Sequence, residues 1–427
     1  MIRIVTVLVA LYAVWQASLV LRMWLYVRQA RSRPLSGYMP KATVIVPCRE
    51  AHPHLEARMR ALLEQEYPDH RVIFATGSSA DPAWPILSRL AGLPCGINGP
   101  RVIPHRINIP QGLRRGVSIP QGQHPKATLV TSGTPTRCSQ KVHNSLRALQ
   151  EAGDAEVYVF ADSDADYPPT WLKRLVSRLG EPGVGATTSC FWWEALGGNL
   201  WARALAWGFN TQIVPFFAGD TLTFAWGGSM AIKATTFEET GIADIWQNVA
   251  YDDLTMAAAL GCRRLKIPFV PEALVTVPVP DGRFTWCFDW LRREMVAGKV
   301  YTPWMYRLGL VLTLPVLLMA LSPLILLASL FVPSLAGPGL LLLSLLPMRM
   351  LMGALFCLAV GRPKTALYAP LDYLAIVLGL AAIYSSVFTN RFTWGDLTYV
   401  LVSPQETRLV GAPGGVLSGS KRGDTSV

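Results

Sequence analysis

The chain has 427 residues, of which 51% are hydrophobic and only 16% are charged. Soluble domains usually carry about a quarter charged residues, so the composition argues against a purely soluble protein and indicates membrane segments. The net charge of +11 suits lipid head groups or a nucleotide sugar, and no zinc-finger, RNP-type or helix-turn-helix signature indicates nucleic acid.

The cysteines are scattered and odd in number, and no Cys-x-x-Cys pair occurs among them. This pattern predicts free thiols in a reducing compartment rather than a disulfide framework or a zinc site. The seven residues are Cys48, Cys95, Cys138, Cys190, Cys262, Cys287 and Cys357.

The first segment, residues 1–33, has the pattern of a membrane anchor. Ile4–Leu21 carries no charge and is long enough to span the hydrocarbon core. A secretory signal peptide is the alternative, but its apolar region is shorter and ends at small residues. Here Arg28, Arg31 and Arg33 follow the apolar run, which predicts an uncleaved anchor and places the next domain in the cytoplasm.

Residues 40–303 have the composition of a globular domain in which short apolar runs alternate with longer mixed segments. The alternation predicts an α/β, Rossmann-like domain with a mostly parallel sheet, helices on both faces and ligands at the carboxyl ends of the strands. The predicted strands are Ala42–Pro47, Arg71–Phe74, Ala127–Val130 and Glu156–Phe160, and the predicted helices are Leu55–Glu66 and Lys141–Glu151.

A basic insert lies between Gly96 and Arg137 and contains a short near-repeat, Ile109–Gly112 and Ile119–Gly122. One interpretation is a solvated surface loop, and the other is a mobile cover over an anionic donor. The sequence leaves both open.

Residues 304–390 are predicted to hold membrane helices. Leu308–Met348 has no charged residue and room for two spans, and a third apolar stretch covers Tyr368–Phe388. Three full spans would put the tail, residues 391–427, outside, although that tail contains basic residues; either one segment does not fully cross or the tail is outside. From Gly411 onward the chain is Gly/Ser-rich, which predicts disorder.

Two carboxylates, Asp162 and Asp164, follow the hydrophobic strand that ends at Phe160. In extended backbone they point the same way, so a positive group should lie between them. A hard divalent cation, Mg²⁺ or Mn²⁺, that bridges donor phosphates fits this pattern. The alternative is a solvated turn in which Asp162 or Asp166 caps the helix that starts near Thr170, and Asp166 is assigned to that cap.

A second acidic pair, Asp252 and Asp253, stands at the head of a helical run over Leu254–Leu260. Acidic residues at this position often serve only as partners of the helix dipole. The functional interpretation makes one carboxylate a general base, because displacement at a sugar carbon needs a deprotonated acceptor hydroxyl.

The segment Trp226-Gly227-Gly228 combines an aromatic ring with two glycines. Glycine lets the backbone approach a ligand closely, so the segment is a candidate floor for a binding site. The alternative is a tight turn before a strand.

Three cations are candidate ligands for a diphosphate. Lys141 begins a predicted helix, and helix N-termini favour phosphate. Arg292 and Arg293 lie on an amphipathic helix over Cys287–Glu294 that leads to the membrane. They are either interface anchors or groups that hold the diphosphate as it leaves.

The order of these motifs resembles that of inverting nucleotide-sugar transferases with the GT-A fold, and most of all the plant-type branch of the ceramide glucosyltransferase family. The resemblance covers about residues 43–399. The matching stretches are Ser79–Ala83, Cys138–Asn144, the Asp162/Asp164 pair, Trp226–Met230, Asp252–Ala257, Trp290–Glu294 and Trp394–Tyr399. Many relatives end the site with an Arg-Trp pair that this chain lacks after Arg293.

The resemblance implies a membrane-bound transferase that moves a hexose, glucose in that family, from a UDP-sugar to the hydroxyl of a membrane lipid such as ceramide. We expect that hydroxyl to be guided from the bilayer by a tryptophan-rich interface around Trp192, Trp193, Trp201 and Trp207. It implies a divalent cation and a role for each motif. Asp162 and Asp164 would hold the metal and donor diphosphate, Asp253 (or Asp252) would be the base, Pro47, Glu50, Asp81 and Lys141 would bind the donor, and Arg292 and Arg293 would assist departure of the diphosphate.

Three alternatives are weighed against this interpretation. A processive polysaccharide synthase would need a full Gln-x-x-Arg-Trp motif and more spans. An inactive membrane scaffold of the same fold would bind donor without turnover. A transporter fits worst, because the spans contain few charges, Arg349 and Asp372, which the sequence places near span ends.

Overall fold

The computed structural model describes residues 2–92, 126–195, 197–219 and 224–411. The near-repeat of the basic insert lies outside these residues. The helices are α1 Ile2–Ser32, α2 Leu55–Leu63, α3 Trp84–Leu90, α4 Gln140–Leu149, α5 Trp171–Ser177, α6 Leu200–Gln212, α7 Ala234–Glu239, α8 Ile242–Trp246, α9 Asp252–Cys262, α10 Phe284–Tyr301, α11 Pro303–Leu312, α12 Leu314–Ala320, α13 Ser322–Ala328, α14 Ala336–Leu343, α15 Leu345–Ala359, α16 Pro363–Ala366 and α17 Asp372–Ser386. The strands are β1 Ala42–Pro47, β2 His70–Thr76, β3 Ala127–Thr131, β4 Val157–Ala161, β5 Ala186–Thr188, β6 Phe191–Glu194, β7 Ser229–Lys233, β8 Val275–Pro278, β9 Arg391–Trp394, β10 Leu397–Ser403 and β11 Glu406–Gly411.

The central sheet has the strand order β3-β2-β1-β4-β7-β5. Strands β1 to β4 pair in parallel, with Val44 opposite Val72 on one side and Val159 on the other, whereas β7 is antiparallel to both of its neighbours. The prediction of an α/β fold with a mostly parallel sheet is therefore confirmed. All of β1 is buried, as expected for a strand covered on both faces.

The two faces of this sheet belong to two separate hydrophobic cores. Val44 and Val46 point into one core, and Ile45 between them points into the other. Alternate residues of a strand point to opposite faces, so a run of consecutive apolar residues covers both. Helix α4 packs on the second face, and its N-terminus is capped by Ser139, whose hydroxyl accepts a hydrogen bond from Val142 N at 3.3 Å.

Four helical segments of the described chain are long and apolar enough to cross a membrane: Ile2–Ser32, Pro303–Ala320, Pro333–Ala359 and Ala369–Ser386. They correspond to the four apolar stretches that the sequence predicted, and their outer surfaces expose large apolar side chains such as Val14. These segments indicate a membrane protein.

The two charged residues predicted near span ends form a buried ion pair. Arg349 lies well inside the segment Pro333–Ala359, so that prediction is wrong for Arg349, while Asp372 does begin α17. Arg349 Nε is 2.9 Å from Asp372 Oδ2, and the side chains are only 5% and 1% exposed. Tyr12 of α1 and Trp207 of α6 also bond to this pair. The pair thus joins four helices that are distant in sequence.

The segment predicted as a tail contains a three-stranded antiparallel sheet, β9–β10–β11. Its inner face packs on the globular domain, where Tyr399 and Leu401 are fully buried beside Val296 of α10. Residues 391–411 are therefore packed on the globular domain and do not form a separate tail. This packing favours the alternative in which one C-terminal segment does not fully cross the membrane.

Helix α17 runs along α6 and α10 of the domain. Its first residue, Asp372, accepts a hydrogen bond from Trp207 Nε1 at 2.7 Å. At its end, Lys299 of α10 donates to the carbonyl oxygens of Ser386 and Thr389, both at 2.7 Å. Both ends of α17 are thus fastened to helices of the globular domain.

Candidate active site

The site begins at the carboxyl end of β4. This strand is buried throughout and ends at Ala161, so Asp162 and Asp164 emerge where the hydrophobic sheet meets its polar edge. Tyr167 fixes the turn that follows, because its hydroxyl lies 2.9 Å from Asp162 O and 2.8 Å from Gly228 O.

Lys141 of α4 joins the two acidic motifs. Its Nζ is 2.9 Å from Asp162 Oδ1 and 3.5 Å from Asp252 Oδ2. Burial opposes the charged amine, but the charges of Asp162, Asp252 and Asp253 outweigh it and raise the pKa of Lys141. The lysine is therefore a fixed positive charge between carboxylates that are 90 residues apart in sequence.

Asp252 and Asp253 occupy the first turn of α9, yet their environments differ. Asp252 is 2% exposed, and its Oδ2 makes no hydrogen bond to any described residue. Asp253 is partly exposed; its Oδ2 accepts a hydrogen bond from Gly227 N at 3.0 Å and its Oδ1 one from Leu254 N at 2.7 Å. Burial, and next the charge of Asp252, raise the pKa of Asp253 to about 7, against an opposing contribution from Lys141.

The Trp226-Gly227-Gly228 segment passes directly over this cluster. A Cβ atom at Gly227 would lie 2.6 Å from Asp252 Oδ1 and 2.7 Å from Lys141 Nζ. A Cβ atom at Gly228 would lie 2.5 Å from Asp162 Oδ2. The glycines are thus required by the close approach of backbone to three charged side chains.

The carboxylates at the end of β4 suit a divalent cation. Burial, and then the charge of Asp162, raise the pKa of Asp164, as expected of two carboxylates close together. The described residues contain no group of three or more His, Cys, Asp or Glu side chains around one point. Mg²⁺ commonly takes one or two carboxylates and completes its shell with phosphate oxygens and water, so Asp162 and Asp164 fit a cation that arrives with a phosphorylated ligand.

The sequence of the chain matches glycosyl transferase family 21 over residues 2–93 and 117–398. The chain belongs to this family. The protein is therefore a glycosyltransferase.

One solved structure similar to this family 21 protein is the mannosyltransferase PcManGT from Pyrobaculum calidifontis in complex with GDP-Man and Mn²⁺. The two chains share 18% identity, and the match covers 88% of this chain and 99% of that chain with a TM-score of 0.44. No curated protein shows significant sequence similarity to the chain.

The residues predicted to line the nucleoside pocket of the transferase lie together. Pro47 ends β1 and is buried, and Glu50 follows it with a φ of 63°. Glu50 N donates to Asp81 Oδ1 at 3.0 Å, which ties the loop after β1 to the loop after β2. The Glu50 side chain is exposed and directed away from the hydrophobic core.

The two arginines on α10 occupy different places. Arg293 is 23% exposed and pairs with Glu294 at 2.8 Å. Burial lowers the pKa of its guanidinium, but the charges of Glu294 and Tyr251 and, after them, of Asp164 outweigh burial and raise that pKa. Arg292 instead pairs with Asp289 at 2.8 Å and is 36% exposed. The structure brings Arg293 to the edge of the acidic cluster and leaves Arg292 on the outer side of the helix.

Two expectations about neighbouring residues are corrected. Asp166 does not cap α5, whose N-cap is Thr170 without a side-chain bond; instead it pairs with Arg58 at 2.7 Å. A tryptophan-rich surface around Trp192, Trp193, Trp201 and Trp207 was also expected. Three of these are buried, at 2%, 4% and 0% exposure for Trp192, Trp193 and Trp207. Trp192 Nε1 bonds Thr365, so its ring fastens the domain to the membrane helices.

Two tyrosines of the site were missed in the sequence. Tyr167 lies three residues after Asp164, and an aromatic residue so close to a carboxylate pair is a usable local signal. Tyr399 carries no such signal, because its partner is Gln140 N, 259 residues away, at 3.1 Å.

Proposed function

We propose that this glycosyltransferase moves a hexose, glucose, from a UDP-sugar to the hydroxyl of a membrane lipid such as ceramide, with inversion at the sugar carbon. The observation that carries the proposal is the convergence of Asp162, Lys141, Asp252 and Asp253 beneath one glycine-rich segment. A family 21 fold supplies the reaction class, and the membrane helices supply a reason for the acceptor to be a lipid.

Asp253 is the proposed general base. Its partial exposure lets an acceptor hydroxyl reach it, and a pKa near 7 keeps it able to take a proton at physiological pH. Asp252 is a poorer choice, because it is buried and its Oδ2 faces Lys141 at 3.5 Å. Asp252 instead holds Lys141 in place, and its negative charge helps to raise the pKa of Asp253.

The donor diphosphate is proposed to lie between the end of β4 and the edge of α10. A divalent cation bound by Asp162 and Asp164 would neutralise charge on the departing diphosphate. Lys141 and Arg293 supply permanent positive charge from the two sides, and arginine matches phosphate geometry well. Pro47, Glu50 and Asp81 form the nucleoside end of the same pocket.

The reaction is a single displacement. Asp253 takes the proton of the acceptor hydroxyl as the hydroxyl oxygen forms a bond to the sugar carbon. The bond from that carbon to the diphosphate oxygen breaks, and its electron pair leaves with the diphosphate. Attack opposite the leaving group inverts the configuration at the sugar carbon.

The lipid is proposed to enter along a seam of aromatic rings that starts at the acidic cluster. Trp226, above Gly228, packs on Phe191 with ring centroids 4.8 Å apart, and Phe191 stacks on Phe209 at 4.6 Å. The seam ends at Trp201 and Phe284, 4.9 Å apart, where Phe284 is 38% exposed. Aromatic side chains favour the boundary between lipid and water.

The catalytic domain is proposed to face the cytoplasm. Arg28, Arg31 and Arg33 stand at the end of α1 that leads into the domain, and short basic segments beside a span are retained on the cytoplasmic side. A nucleotide sugar made in the cytoplasm would then have direct access to the site.

The test is a transfer assay on membranes that contain the full chain, supplied in separate reactions with radiolabelled UDP-glucose, UDP-galactose and GDP-mannose. Lipid products are separated and identified by mass spectrometry, with membranes containing the Asp253→Asn variant as the control. We expect one labelled glycolipid from UDP-glucose and none from the variant. A labelled polymer would support a polysaccharide synthase instead, and nucleotide binding without product would support an inactive scaffold.

A further inference from the structure

The sheet β9–β10–β11 contacts three of the segments that carry proposed donor and base residues. It contacts the loop after β1, the N-terminus of α4 and the segment before α9. None of these contacts reaches the reacting groups themselves.

The first contact fixes the loop after β1. Arg49, next to Glu50, forms an ion pair with Asp396 and lies over the ring of Trp394, with Cζ 5.9 Å from the ring centroid. Gly395 between them has a φ of 59°, and a Cβ there would lie 2.9 Å from Arg49 Cζ. The β9–β10 turn is thus shaped around this one guanidinium, which is 19% exposed against 51% for Asp396.

The second contact fixes the start of α4. Gln140 N donates to the Tyr399 hydroxyl oxygen at 3.1 Å, and Tyr399 is fully buried. The first backbone N–H groups of a helix have no partner within the helix, so an outside acceptor here holds the first turn. Lys141, the next residue, is the proposed diphosphate ligand.

The third contact holds the segment that leads to the base. Thr407 N donates to Asn248 O at 2.8 Å. Phe392 packs on Tyr251, the residue before Asp252, with ring centroids 5.7 Å apart. Ser139, the cap of α4, donates to Ala250 O at 2.8 Å, so the second and third contacts share one scaffold.

We propose that Asp396 and Tyr399 are positioning residues for the sugar donor, acting through Arg49 and through the first turn of α4. The inference rests on the proposed function, because it assigns a nucleotide diphosphate to the pocket between these loops. It makes donor affinity depend on a segment that follows the last membrane helix.

The experiment measures UDP binding with Mg²⁺ by calorimetry on the purified full chain in nanodiscs, and donor KM in the transfer assay. The variants are Asp396→Asn, Tyr399→Phe and the exchanged pair Arg49→Asp/Asp396→Arg. Glu406→Gln is the matched control, because Glu406 lies on the same sheet and pairs only with exposed Arg408, at 2.6 Å.

We expect Tyr399→Phe to raise the UDP dissociation constant about tenfold, since a buried N–H loses its acceptor. We expect Asp396→Asn to raise it about threefold, in line with a partly exposed ion pair, and the exchanged pair to recover part of that loss. The KM for the lipid acceptor should stay unchanged, as should UDP binding by Glu406→Gln. A purely structural role would lower the melting temperature and leave the dissociation constant and donor KM as in the wild type.

The inference is overturned if Asp396→Asn and Tyr399→Phe bind UDP as the wild-type chain does, or if the acceptor KM rises as much as the donor KM. If the wild-type chain binds neither UDP nor GDP, the proposed function itself fails. The two failures are therefore distinguishable in one set of titrations.

Discussion

Two clusters of buried charge among the described residues are built differently. In the membrane region, every oxygen of Asp372 has a donor: Oδ1 accepts from Trp207 Nε1 at 2.7 Å and from Arg349 Nη2 at 3.2 Å, and Oδ2 accepts from Arg349 Nε at 2.9 Å. In the candidate active site, Asp252 Oδ2 has no hydrogen bond among the described residues, and the pKa of Asp253 is raised to about 7, by burial first.

The contrast separates a structural cluster from a reactive one. A fully bonded ion pair resists change and joins the elements that supply its partners. In a cluster with several carboxylates and one lysine, the carboxylates can still bind a cation or a proton and the lysine can bind a phosphate. Substitutions in the first should therefore lower stability, and substitutions in the second should lower turnover.

The largest expected effect is that of Asp253→Asn. Loss of a general base typically reduces the rate by about 10²–10⁴, and the amide preserves the shape of the side chain. Turnover should fall by this factor while UDP binding and melting temperature stay close to wild type. Near-normal turnover in this variant would remove Asp253 from the mechanism.

Asp372→Ala should act on stability instead. Removing one member of a buried ion pair leaves an uncompensated charge and typically costs about 3–5 kcal/mol. Thermal unfolding in nanodiscs should show a large drop in melting temperature, with normal turnover per folded molecule at low temperature.

The matched control for Asp372→Ala is the apolar pair Arg349→Met/Asp372→Leu, which should recover much of the lost stability, since the uncompensated charge is gone. A double variant that unfolds as readily as Asp372→Ala would mean that the pair contributes more than charge neutralisation.

The two arginines of α10 allow a finer comparison. Arg293→Gln should reduce turnover about tenfold or more, because a charged partner near Asp164 and the diphosphate is lost. Arg292→Gln removes an exposed pair with Asp289 and a contact over the ring of Phe288, and exposed ion pairs contribute about 0.2–1 kcal/mol. Equal losses of turnover in both variants would indicate that any disturbance of α10 lowers turnover and that the Arg293 side chain has no separate role.

The pH dependence of turnover provides the smallest and most specific effect. Because the pKa of Asp253 is raised to about 7, the carboxylate form that acts as base is lost as pH falls below that value. Turnover should therefore drop by about tenfold per unit between about pH 6.5 and pH 5 and level off above about pH 7.5. A flat profile across this range would contradict an Asp253 base with a raised pKa.

Much of the parallel sheet could be predicted from the sequence. β1 and β4 are buried at every position and, apart from Thr43, hydrophobic, because both faces of the sheet are covered; such runs are visible without knowing their partners. Asp162 and Asp164 were found for the same reason, since they follow β4, whereas Asp252 and Asp253 were found as an acidic pair at the head of a predicted helix. Their convergence could be proposed only from the order of motifs and the family resemblance.

The remaining elements depend on contacts between distant parts of the chain. β9 reads Arg-Phe-Thr-Trp, and only Phe392 in it is fully buried, so no local pattern distinguishes it from a polar tail. Its place is decided by Tyr251 and Val296, which lie far earlier in the sequence. The wrong assignment of Asp166 as a helix cap has the same cause, because its partner Arg58 is 108 residues away.

The position of β9–β11 at the far end of the chain affects how the protein matures. A nascent chain that stops after α17 already contains every proposed catalytic side chain. It does not yet contain the sheet β9–β10–β11, which contacts the loops of the pocket. Because α11–α17 are synthesised before those strands, competence would come only after the apolar helices have left the ribosome. Such an order would keep a partly made molecule from consuming nucleotide sugar before it reaches its lipid.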